Sequence, residues 1–109
     1  MKLTSEMCQF QFDSLTLDQK RWLCTIIQEY HHAKEKHPDW SNDLIHRAAI
    51  VAEECGELVQ AALQHHYEGG QYYLMHKEAI QTAATCLRFL IEAPELKRPS
   101  ERSTKHMEG

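Results

Sequence analysis

Ala52-Glu53-Glu54-Cys55-Gly56-Glu57-Leu58 places three carboxylates and a glycine in the middle of a long apolar stretch. The apolar positions around it, Leu44, Ile45, Ala48, Ala52, Cys55, Val59 and Ala62, step by three or four residues, the spacing of one helix face. A helix meant only to pack does not carry so much charge at its centre, because a buried carboxylate loses its hydration. Residues three apart on a helix share a face, about 60° from each other. Glu54 and Glu57 therefore point the same way. Glu53 lies about 100° round from Glu54 and belongs at the rim or in solvent. Glycine inside a helix costs about 1 kcal/mol relative to alanine, so Gly56 between the two carboxylates implies close approach of another helix or a ligand.

Working outward, this helix is expected to start at a cap on Asp39, Ser41 or Asn42 and to run to about Tyr67, where Gly69-Gly70 breaks it. About 25 residues at 1.5 Å each give roughly 38 Å, a length that suits a bundle. Upstream, Thr16-Leu17-Asp18-Gln19 has the form of a capping box. The helix it opens carries Leu23, Ile26, Ile27 and Tyr30, with Trp22 beside them, and runs to about Lys36. His37-Pro38 stops it, since proline disfavours helix in the residue before it. Downstream, a third helix is expected from Gln71 or Tyr72 to about Glu92, with a stripe of His76, Ile80, Ala83, Leu87, Leu90 and Ile91, ended by Ala93-Pro94.

The outer segments are less patterned. Residues 1–14 hold Met7, Phe10 and Phe12 without clear period and read as an arm, either packed or loose. Residues 94–109 are polar and read as a flexible tail. That leaves residues 15–93 as the helical domain. The fold class is all-α: a helical hairpin plus an N-terminal helix. Alanines are dense on the second and third helices (Ala48, Ala49, Ala52, Ala61, Ala62, Ala79, Ala83, Ala84) and let backbones approach. The hairpin leaves apolar surface for the first helix and a second chain to cover, so a homodimer or homotetramer built from four-helix bundles is expected.

Bulk properties narrow the function. A chain of 109 residues makes one domain. A net charge of -4 does not indicate a nucleic-acid surface. No stretch approaches the ~18 apolar residues of a membrane span, and the first residues lack the apolar core of a signal peptide. Cys8, Cys24, Cys55 and Cys86 form no CxxC pair, which speaks against a zinc knuckle. On apolar helical stretches such cysteines act as small hydrophobes, and a reducing, cytoplasmic setting is expected.

Glu78 and Gln81 repeat the three-residue spacing of Glu54 and Glu57. In an antiparallel hairpin the two pairs can face one another across a groove. Carboxylates brought together repel, and desolvation adds to the cost. A hard divalent cation relieves both, and an all-oxygen ligand set suits Mg²⁺ or Mn²⁺ with a substrate phosphate completing the shell. The plainer reading is that Glu at i and i+3 is among the commonest patterns on any solvated helix.

On these residues the sequence resembles the MazG-like, all-α nucleoside triphosphate pyrophosphohydrolases, whose pattern is ExxE followed by ExxD. Glu53-Glu54-Cys55-Gly56-Glu57-Leu58 matches the frequent EExGEL form, and Glu78-Ala79-Ile80-Gln81 matches the second half except at its last position. The resemblance spans roughly residues 40–92. It implies cleavage of a nucleotide between its α- and β-phosphates, with Glu54, Glu57 and Glu78 as Mg²⁺ ligands and one carboxylate orienting the attacking water. Gln81 takes the last ligand position without its charge. It also implies Lys77 and Arg88 as cations meeting phosphates, although each is more often a solvated helix charge, and Trp22, Tyr30 and Trp40 as stacking candidates, although these aromatics serve equally as core. The missing charge at Gln81 implies weaker metal binding, nucleotide binding without turnover, or a different substrate.

Two readings compete. Eight histidines include one Glu-x-x-His, Glu29-Tyr30-His31-His32, the element di-iron carboxylate bundles use twice. A non-catalytic helical module, binding nucleotide or protein, accounts for Gln81 and the apolar stripes without chemistry. His65 and His66 fall near a helix C-terminus, where the dipole favours a cation.

Overall fold

The computed structural model describes residues 4–92, and of residues 7–10 the backbone alone. Four helices follow one another: α1 Ser5–Asp13, α2 Leu17–Lys36, α3 Leu44–Glu68 and α4 Tyr72–Glu92. Among the described residues there is no strand. The all-α expectation holds. The expected stop at Ala93-Pro94 and the polar tail at 94–109 lie outside the described residues.

Local chemistry explains most boundaries. The Thr16 hydroxyl accepts from Gln19 N at 3.1 Å while Thr16 N donates to Gln19 Oε1 at 2.8 Å, so the capping box of α2 is complete. The helix ends at Lys36, and the His37 N–H closes it on Ala33 O at 2.8 Å. Helix α3 ends at Gly69, which adopts the left-handed conformation (φ 71°) that glycine enters without steric cost. Gly70 N then bonds back to Gln64 O at 2.9 Å, and the chain turns into α4.

Two boundaries depart from expectation. The cap of α3 is Asp43, not Asp39, Ser41 or Asn42. Asp43 Oδ1 accepts from Ile45 N at 2.9 Å and His46 N at 3.3 Å, and Ser41 serves one step back by accepting Asp43 N at 3.1 Å. Residues 1–14 are not simply an arm: Ser5–Asp13 is helical. Nine residues make only two and a half turns, too short for apolar periodicity to register.

Helix α4 lies between its neighbours, with α3 and α2 both packed on it. The Thr82 hydroxyl sits at 2.7 Å from Glu78 O in its own helix and 3.1 Å from Glu54 O on α3. The link between α2 and α3 is held by two arginines. The guanidinium carbons of Arg47 and Arg88 lie 4.9 and 4.8 Å from the Trp40 ring centroid. Arg88 Nη2 donates to His37 O at 2.8 Å, Arg88 Nε to Glu92 Oε2 at 2.5 Å, and Arg47 Nε to Ser41 O. Both arginines are buried, which arginine tolerates only with such partners.

The core is thin. Tyr30 and Ala84 are the only buried apolar residues among those described, and no described side chain falls below 2% exposure. On α3 the apolar stripe expected to pack is the outward one: Ile45 is 75% and Val59 57% exposed. The face turned to α4 instead carries Arg47, Val51, Glu54, Leu58, Ala61 and His65, each buried or half-buried. At the end of α4, Leu90 and Ile91 also stand exposed.

Replacing Asp43 with alanine removes the acceptor for two N–H groups and should cost about 1 kcal/mol. Asn42→Ala should cost little, because no cap bond is made by Asn42. Urea unfolding of the two variants checks this; equal losses would contradict the assignment of the cap.

Candidate functional site

The hairpin brings Glu54 and Glu57 of α3 against Glu78 of α4. One carboxylate oxygen from each lies within 4.8 Å of the others. Glu54 and Glu78 are half-buried and Glu57 is exposed. Glu54 Oε2 and Glu78 Oε2 are each buried without a hydrogen-bond partner. Glu53 is exposed and outside the group, as its angle on the helix requires. Thr82 accounts for the register: its hydroxyl ties the two backbones together at the level of Glu54 and Glu78.

Crowding shows in the protonation of these groups. Burial pushes the Glu54 carboxyl above the ordinary glutamate range, and the charges of Glu57, Glu78 and Glu53 push it further. Burial likewise raises Glu78, helped by the charge of Glu57 and by carboxyl–carboxyl contact with it, while the Lys77 ammonium pulls in the opposite direction. These are the directions expected of like charges held together.

Beside the carboxylates runs an open groove of about 1110 Å³ between α2, the α2–α3 link, α3 and α4. Glu54 belongs to both the acidic group and the groove wall. Gln81 and Lys77 line the groove from α4, so the position where the family pattern has its last carboxylate looks into the same space as Glu54. Thr85, one turn on, spends its hydroxyl on Gln81 O at 2.8 Å.

The remaining expected ligand contacts divide. Lys77 is exposed on the groove. Arg88 lines the groove but is 5% exposed and committed to Glu92 and His37 O. Trp40 lines it too, with both guanidinium groups already against its ring. These two residues build the wall. Trp22 is not among the lining residues; its ring meets His76 edge-on at 5.3 Å. Tyr30 is buried, with 7% exposure, and serves as core.

The groove also contains residues that the sequence reading passed over. Tyr73 is 62% exposed and lines it one turn before Lys77. Following the i, i+4 row of Lys77 backward would have found it. Glu29 and His32 line the α2 side, 3.7 Å apart, and lie outside the three-carboxylate group. His65 Nδ1 contacts Gly70 O at 2.8 Å, a terminal role in keeping with its place in the last turn. A threonine in a helix commonly bonds its own backbone, as Thr82 does at Glu78 O, but its second contact, to Glu54 O across the hairpin, had no signal in the sequence.

Gly56 departs from expectation. A side-chain carbon added there would meet nothing within 4 Å, so neither α2 nor α4 approaches it. Cys24 and Cys55 are exposed and Cys86 is half-buried, all as free thiols, so two of the three do not act as packed hydrophobes. No helix among the described residues is long and apolar enough to cross a membrane.

Comparison with protein-family models, with curated proteins and with solved structures gave no match to this chain.

The raised carboxyls set a sign. The folded chain holds protons on Glu54 and Glu78 more tightly than the unfolded chain does, so between the ordinary and the raised values these groups make stability fall as pH rises. Glu54→Gln should therefore raise the Tm by about 2–4 °C near pH 7.5 in chelator-treated buffer and change it little near pH 4.5. Thermal melts at both pH values test this; a lower Tm for the variant near pH 7.5 would contradict the crowding.

Proposed function

We propose that the chain is a MazG-like nucleotide pyrophosphohydrolase: Mg²⁺-dependent, with Mn²⁺ as a substitute, cleaving a nucleoside triphosphate or related nucleotide to a monophosphate and pyrophosphate. The observation that carries this reading is the convergence of Glu54, Glu57 and Glu78 with two buried, unpartnered carboxylate oxygens. Leaving such oxygens unsatisfied is costly. A hard cation fits what they lack: oxygen donors, concentrated negative charge and an open side for a further ligand.

In this reading Glu54, Glu57 and Glu78 hold the cation, and Gln81 offers a neutral amide oxygen from the groove side. When bound, the cation neutralises phosphate oxygens and makes water a better nucleophile. Glu57, the exposed member of the group, is placed to orient that water and receive its proton. Lys77 supplies the mobile positive charge for the phosphate chain. Tyr73 offers an exposed ring for the base. Arg88 and Trp40 act at one remove by fixing the groove wall. The protein works as a homodimer or homotetramer in the cytoplasm, with helical hairpins combining into four-helix bundles.

Gln81 specifically favours a second reading, in which the same groove binds nucleotide as a non-catalytic module. Pyrophosphate release from a panel of nucleoside triphosphates, with Mg²⁺ or Mn²⁺, separates the two. Turnover that Glu57→Ala reduces roughly 100-fold or more supports the hydrolase. Cation-dependent nucleotide binding without release supports the module. The absence of both contradicts the proposal.

Restoring the fourth carboxylate is a separate test. Gln81→Asp should tighten Mn²⁺ binding by roughly tenfold, about 1.4 kcal/mol. Unchanged affinity would remove Gln81 from the ligand set.

A further inference from the structure

Glu29 lines the groove from α2 and takes no part in the trio of Glu54, Glu57 and Glu78. Two contacts fix where it stands. The Trp22 ring meets the His76 ring at 5.3 Å, and Arg88 Nη2 donates to His37 O at 2.8 Å. Helices α2 and α4 therefore run parallel, with Trp22 beside His76 and His37 beside Arg88. Glu29, halfway between Trp22 and His37, comes level with Gln81 and Thr82, halfway between His76 and Arg88. Glu54 reaches the same level from α3, since its carbonyl oxygen lies 3.1 Å from the Thr82 hydroxyl. Glu29, Glu54 and Gln81 all line the groove. One carboxylate stands on each bank, and the Gln81 amide stands on the α4 wall between them. Asp39, the other groove carboxylate outside the trio, belongs to the α2–α3 link at the far end.

We infer that Glu29 is the fourth carboxylate of the cation site, carried on α2 instead of beside Glu78 on α4, an inference that rests on the cation reading of Glu54, Glu57 and Glu78. The charge count supports it. Glu29, Glu54, Glu57 and Glu78 already make four carboxylates, and an aspartate at position 81 would add a fifth to the same space. Gln81 keeps an oxygen donor there without adding to the repulsion that like charges exert. Its neutrality is then a fit to Glu29 across the groove and not a loss.

Glu29 is also available. Its side chain is 30% exposed, and its Oε2 lies 3.7 Å from His32 Nδ1, longer than a hydrogen bond. The His32 side chain is 69% exposed, so the pair is weak. No lysine pairs with Glu29 among the described residues. Repulsion from Glu54 turns the Glu29 carboxylate toward His32 in the cation-free chain, and a cation reverses that preference. A phosphate chain entering between two bare carboxylates is repelled by both. A cation held by both banks removes that barrier.

Titration calorimetry of the full chain with Mn²⁺ reads this without any turnover. Glu29→Gln keeps the size of the side chain and removes its charge, and should weaken Mn²⁺ binding roughly tenfold. Combining Glu29→Gln with Gln81→Asp moves the fourth carboxylate back to α4 and should restore affinity to within about threefold of the unaltered chain. His32→Gln frees Glu29 and should not weaken binding. Affinity unchanged by Glu29→Gln, or a double variant no better than Glu29→Gln alone, would overturn the inference; where Glu78→Gln still abolishes binding, the cation reading survives that result. A chain that binds no Mn²⁺ overturns both.

Discussion

One cross-helix contact governs the site. The Thr82 hydroxyl lies between the carbonyls of Glu78 and Glu54, so the hairpin of α3 and α4 has a fixed register where its charges meet. A helical residue rises 1.5 Å, and a slip of one position would turn Glu54 about 100° away from Glu78. The register therefore forces repulsion: it brings Glu54 and Glu57 to Glu78 and leaves two buried oxygens without partners. Like charges held together in this way raise the carboxyls of Glu54 and Glu78 above the ordinary range.

The groove supplies the other half of the arrangement. It joins the acidic group through Glu54 and carries Lys77 and Gln81 on one wall. Its far end is stiffened by Trp40, Arg47 and Arg88, which tie the α2–α3 link to α3 and α4. Arginine and tryptophan on an open groove suggest ligand contacts at first sight. Here both guanidinium groups lie against the Trp40 ring, and Arg88 donates to Glu92 and to His37 O and Arg47 to Ser41 O, with Arg47 Nη1 alone buried and unpartnered; that makes them scaffold and leaves Lys77 and Tyr73 exposed on the α4 wall.

Much of this was legible in the sequence. The capping box at Thr16, the stop at His37-Pro38 and the glycine turn at Gly69-Gly70 fixed α2, α3 and the hairpin, because each rests on local chemistry. The pairing of Glu54 and Glu57 with Glu78 followed from helical spacing plus an antiparallel hairpin. What did not follow depended on non-local geometry. Which face of α3 meets α4 cannot be read from apolar periodicity, since the inward face includes Arg47, Glu54 and His65 while the apolar stripe through Ile45 and Val59 stays exposed. The roles of Arg88 and Trp40 depend on a loop folding back over α4. Gly56 pointed to a close neighbour, but among the described residues a side-chain carbon added there meets nothing within 4 Å.

The nucleotide reading stands on the three carboxylates accepting a hard cation. Titration calorimetry of the full chain with Mn²⁺, without nucleotide, tests that step alone. The account predicts saturable binding that Glu78→Gln abolishes while the helical far-ultraviolet signal is retained. No binding up to about 10 mM Mn²⁺, weaker than ~3 kcal/mol, or binding indifferent to Glu78→Gln, would contradict it.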